Sequence, residues 1–79
     1  MKDWYFTFGI GDINSMKYVR ITASSYDAAR EEMFNRYGSK WAFQYSEEEW
    51  QNDEMVAYMR TTYKELEHLV AKEDTEDED

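Results

Sequence analysis

Apolar and polar residues alternate twice near the start of the chain. In Trp4-Tyr5-Phe6-Thr7-Phe8 the side chains of Trp4, Phe6 and Phe8 share one face, and those of Tyr5 and Thr7 the other. The residue types favour a strand. Gly9, Gly11, Asp12, Asn14 and Ser15 then interrupt the pattern, as a loop does. Alternation resumes in Lys17-Tyr18-Val19-Arg20-Ile21-Thr22, with Val19 and Ile21 inward. The two runs predict an antiparallel hairpin.

The period then changes. Ser24-Ser25-Tyr26-Asp27 opens a helix, with Ser24 as the expected cap and Asp27 suited to the positive helix end. Tyr26, Ala29, Met33 and Tyr37 recur at helical spacing, and Gly38 is the expected stop because it adopts a left-handed conformation cheaply. Trp41-Ala42-Phe43-Gln44-Tyr45 reads as a third strand. Ser46-Glu47-Glu48-Glu49 is a capping box with three acids in the first helical turn. Asn52-Asp53 marks a kink or a second start. Met55, Val56, Met59, Thr62, Tyr63, Leu66, Leu69 and Val70 form one apolar stripe, which predicts a long final helix fading near Lys72.

The expected fold is therefore α+β: a three-stranded antiparallel sheet with two helices on one face, in the order ββαβα. The 79 residues allow one domain, assigned to 1–72, followed by a disordered acidic tail at 73–79. There is no Cys and one His, so neither a disulfide nor a multi-histidine metal site staples so small a core. Three Trp, seven Tyr and four Phe compensate. No apolar run has the length of a membrane span or the form of a secretory leader, so the expected location is cytoplasmic and no membrane partner is expected.

Charge is unevenly placed. The net charge is −9, but residues 73–79 alone hold six acids and no base. Residues 1–45 hold 5 acids and 6 bases, a net of +1, and residues 46–72 hold 7 acids and 3 bases, a net of −4. Extended, the tail spans about 23–25 Å at ~3.3–3.6 Å per residue. Its charge spacing approaches the ~3.4 Å per phosphate of one DNA strand. It reads either as a solubilising tail or as a polyanion fitted to a nucleic-acid channel.

Candidate chemistry is sparse. His68 follows Glu65 by three residues, but a di-iron site needs two such pairs and further carboxylates. Gly9-Ile10-Gly11 lacks the third glycine and the following helix of a phosphate loop. Asp12-x-Asn14 begins like a calcium loop without its glycine or distant glutamate. The chain is thus read as a binder, not an enzyme, with no cofactor and no metal.

Two binding surfaces suggest themselves. Glu47, Glu48, Glu49, Asp53 and Glu54 form an acidic element for a basic partner surface. Trp50 and Met55 flank the expected kink, as core or as exposed apolar anchors for a partner or a second copy. The alternative is the outer sheet face, where Tyr5, Tyr18, Arg20 and Lys17 would make a base-stacking platform for single-stranded nucleic acid. An assembly oligomer is a third reading.

Finally, Trp-Tyr-Phe-Thr-Phe-Gly at 4–9, Tyr-Val-Arg-Ile at 18–21 and Ala-Arg-Glu-Glu-Met-Phe-Asn-Arg-Tyr-Gly-Ser-Lys-Trp-Ala-Phe-Gln-Tyr-Ser-Glu-Glu-Glu-Trp at 29–50 resemble a group of small accessory proteins of phages and prophages of Gram-positive bacteria. The resemblance covers roughly residues 4–50 and carries no residue-by-residue activity. It implies a setting, the host cytoplasm, in which small acidic proteins block host enzymes or defence complexes, anti-CRISPR proteins among them. The function expected is inhibition or modulation of a host protein with a basic nucleic-acid-binding surface.

Overall fold

A computed structural model of the protein describes residues 1–72. The acidic tail expected over 73–79 lies outside the described residues.

The hairpin forms as its alternation demands. Strand β1 (Lys2–Phe8) pairs antiparallel with β2 (Lys17–Ala23), setting Trp4 opposite Ile21 and Phe6 opposite Val19. In the connecting loop the Asp12 carboxylate accepts from the Asn14 amide at 2.8 Å, a side-chain-closed turn.

Helix α1 (Tyr26–Tyr37) is capped by Ser25, whose hydroxyl accepts from the Ala28 amide at 3.1 Å. The cap is thus one residue later than the expected Ser24. Gly38 closes the helix at φ 66°, its amide donating to the Phe34 carbonyl at 2.8 Å. Strand β3 (Trp41–Ser46) returns antiparallel on the other side of β1, with a bulge at the step between Thr7 and Phe8 that leaves Ala42 unpaired.

The second half departs from expectation. The acidic segment folds as two short helices, α2 (Glu47–Asn52) and α3 (Glu54–Thr62), and a fourth strand follows, β4 (Lys64–Val70). Strand β4 lies parallel to β2, giving a mixed sheet of order β3-β1-β2-β4 in place of three antiparallel strands. Helix α3 ends where Tyr63 turns extended at ψ 152°, its amide still donating to the Met59 carbonyl at 2.8 Å, and the Thr61 hydroxyl donates back to the Ala57 and Tyr58 carbonyls in the last turn. A register shift between Tyr18 and Val19 inserts one extra residue into β4. Leu66 and Leu69, three apart, therefore pack against the same core, a spacing that imitates a helix.

The helices also lie on opposite faces, not one. Helix α1 covers the face carrying Trp4, Phe6, Phe8, Val19 and Ile21, with Ala29 and Met33 buried against them. Helices α2 and α3 cover the other face, where Tyr5, Trp50 and Val56 form a second core with Tyr18, Tyr45 and Met59 at its margin. The physical reason lies in β1, which is central and buried on both sides: Tyr5 is 5% exposed and Thr7 2%. A central strand with aromatic residues at both parities requires a cover on each face. No helix among the described residues is long and apolar enough to cross a membrane.

Candidate functional site

The acidic segment is built by its caps. The Ser46 hydroxyl accepts from the Glu49 amide at 3.1 Å, and the Glu49 carboxylate accepts from the Ser46 amide at 2.9 Å. Asp53 ends α2 and begins α3, its carboxylate accepting from the Met55 amide at 2.8 Å. The two helices therefore meet at an elbow, which the Arg60 guanidinium locks by donating to the Trp50 carbonyl.

Within this frame the five acids have different roles. Glu47 is half-buried and accepts a 2.7 Å hydrogen bond from the Tyr5 hydroxyl. Burial and then this carboxylate raise the Tyr5 hydroxyl pKa far above its ordinary value. Glu49 and Asp53 serve as caps yet remain exposed, and Glu48 and Glu54 are exposed with no such duty. Between β1 and α2 lies an open cleft of about 620 Å³ bordered by Asp3, Glu47 and Glu48 together with Trp4, Gln51 and Asn52.

Trp50 does not serve as a surface anchor. It is 2% exposed and stacks on Tyr5 with centroids 4.7 Å apart, while Tyr18 and Tyr45 approach it at 5.0 and 5.8 Å. The exposed apolar residue at the elbow is instead Met55, at 85%.

That packing also bears on the nucleic-acid alternative. Tyr5 and Tyr18 turn toward α2, and the stacking face of Tyr5 is occupied by Trp50. Lys17 is exposed at the start of β2. Arg20 is held by two carboxylates, Asp3 at 3.3 Å and Glu65 at 3.0 Å.

Arg20 belongs to a polar network invisible in the linear pattern, because β4 was not expected there. The Thr22 hydroxyl donates to the Asp3 carboxylate at 2.7 Å and lies 2.8 Å from His68 Nε2. A hydroxyl has one proton; with that proton on Asp3, His68 must donate to Thr22. This is the reverse of an activated nucleophile, where histidine accepts the hydroxyl proton. His68 sits on a strand, not on the helix its spacing from Glu65 implied. On the opposite face, Arg36 clasps Glu67 through two nitrogens at 3.0 and 3.1 Å, and the Tyr37 hydroxyl donates to the same carboxylate at 2.6 Å. Those hydrogen bonds hold the Glu67 carboxyl below the usual carboxylate range, while burial and Glu67 push Tyr37 up to about 12. No group of three or more His, Asp or Glu side chains among the described residues is placed to hold a metal ion.

Of the two readings open for Met55 at the expected kink, the exposed one fits its place in the fold, whereas Phe43, 63% exposed on β3, was not singled out from sequence. Phe43 bears no signal beyond lying in an expected strand. No known protein family, curated protein or solved structure was found to match the chain.

Proposed function

We propose that the chain is a small acidic binding protein, phage-encoded as its resemblance implies, that inhibits or modulates a host nucleic-acid-handling protein in the cytoplasm. Its contact surface is the α2–α3 elbow. The observation that carries this reading is the separation of roles there. Glu48 and Glu54 are exposed beside Glu49 and Asp53, and Met55 stands open among them. Residues 41–59 contain these five acids, counting Glu47, and no Lys or Arg. A surface of one sign around an apolar contact suits a basic groove built for phosphates, and it would steer association in a salt-dependent way. The Tyr5–Trp50 stack and the Arg60 lock hold the elbow rigid, which lowers the ordering cost of binding.

The test is affinity capture from host lysate with the full chain and with a Glu48→Lys, Glu54→Lys double variant, at low and high salt. The expected result is a nucleic-acid-handling protein retained by the parent chain at low salt, released by high salt and missed by the variant. Equal retention by both proteins at both salt concentrations overturns the proposal.

A further inference from the structure

The two edges of the sheet are treated differently. Strand β4 carries Lys64, Glu65, Glu67 and His68, and it is bulged. Charges and bulges are the usual means of keeping a sheet edge from pairing with another strand. Strand β3, at the opposite edge, reads Trp-Ala-Phe-Gln-Tyr-Ser, with no charge and no proline. Past the bulge at Ala42, residues 43–46 are regular. Exposed aromatic rings flank this edge on both faces. Phe43 projects from one face, 6.3 Å from Tyr45. On the other, Phe34 of α1 is exposed and lies 5.5 Å from Trp41. Two buried side-chain atoms without hydrogen-bond partners, Trp41 Nε1 and Gln44 Oε1, are also on β3.

We infer that β3 is a self-association edge, through which two copies of this chain pair antiparallel into one continuous eight-stranded sheet. Charge and symmetry select a second copy. Every other strand of the described sheet carries charged residues and β3 carries none, so two copies can pair through β3 without setting like charges opposite each other along the ladder. A two-fold axis normal to the sheet requires paired residues to lie on the same face. Centred on Gln44, that axis sets Phe43 opposite Tyr45 of the second copy, and the reverse, giving two aromatic cross-strand pairs. Gln44 then faces its own counterpart through the backbone, its side chain staying with α1, where Nε2 donates to the Tyr26 carbonyl at 3.1 Å.

The experiment is sedimentation velocity of the full chain from low micromolar to millimolar concentration. A concentration-dependent dimer is expected. Phe43→Lys, at an exposed position that leaves the cores intact, should weaken it by at least about tenfold, because each copy brings a charge to the ladder. Gln44→Cys is a second reporter, clean because the chain has no cysteine. Under mild oxidation it should form a disulfide dimer, whereas Lys64→Cys on β4 should not. A monomer at every concentration overturns the inference, as does a dimer indifferent to Phe43→Lys, or cross-linking through Lys64→Cys in preference to Gln44→Cys.

Discussion

Trp50 lies flat on Tyr5, their ring planes 3° from parallel, and the Tyr5 hydroxyl reaches past the stack to Glu47. One strand residue thus holds α2 by both its ring and its hydroxyl. The two contacts can be separated by substitution.

Removing the ring partner should be costly. Trp50→Ala leaves a cavity between β1 and α2, and truncating a buried Trp to Ala costs about 3–5 kcal/mol. For a domain this small that approaches the whole stability. Urea denaturation should show a large loss of midpoint or an unfolded chain. A loss under about 1 kcal/mol would mean that α2 contributes little to the packing.

Removing only the hydroxyl should be milder. Tyr5→Phe keeps the stack and deprives Glu47 of its donor. A hydrogen bond to a charged group is worth about 1.5–3 kcal/mol, and the half-exposed Glu47 regains water, so about 1 kcal/mol is expected. The same denaturation curves test it, and a loss equal to that of Trp50→Ala would contradict the separation.

Proton binding gives a third expectation. The folded state lowers the Glu67 pKa through Arg36 and Tyr37. A depressed carboxyl favours folding above its unfolded value and loses that contribution as pH falls through the folded one. Stability should therefore decline below about pH 4, the ordinary range of a glutamate, and Glu67→Gln should flatten the decline. At the alkaline end the sign reverses. Tyr37 is raised to about 12 and Tyr5 further still, so their contribution is complete below their unfolded value near 10 and fades above it. Phenolate absorbance should show these two among the last of the seven tyrosines to ionise.

Gly38 closes α1 at φ 66° and ψ −135°, with open space where a Cβ would stand. Any cost of Gly38→Ala is thus backbone strain alone, about 1–3 kcal/mol. Thermal melts measure it directly, and an unchanged melting temperature would show that the helix end relaxes without loss.

The first three strands, α1 and the start of α2 were legible because each carries a local signal. These signals are the alternation in Trp4–Phe8, the stop at Gly38 and the capping box at Ser46. What was hidden is not local. Leu66 and Leu69 read as a helical stripe because a bulge, set by pairing with β2, puts residues three apart on one face. Tyr5 and Thr7 read as a solvent face because their polar atoms disguise a buried position, and Trp50, the residue that covers Tyr5, comes from 45 positions later in the chain. The acidic element was visible in composition, but which carboxylates are engaged depended on the fold: Glu47 by Tyr5, Glu49 by Ser46 and Asp53 by Met55.

The place of β4 has a consequence for biosynthesis. Its residues leave the ribosome well after those of β2, whose hydrogen bonding they complete. A nascent chain lacking them presents Val19 and Ile21 beside an open backbone. The four-stranded sheet can close only once Lys64–Val70 have left the exit tunnel, and truncation before Lys64 should give a product prone to aggregate or be degraded.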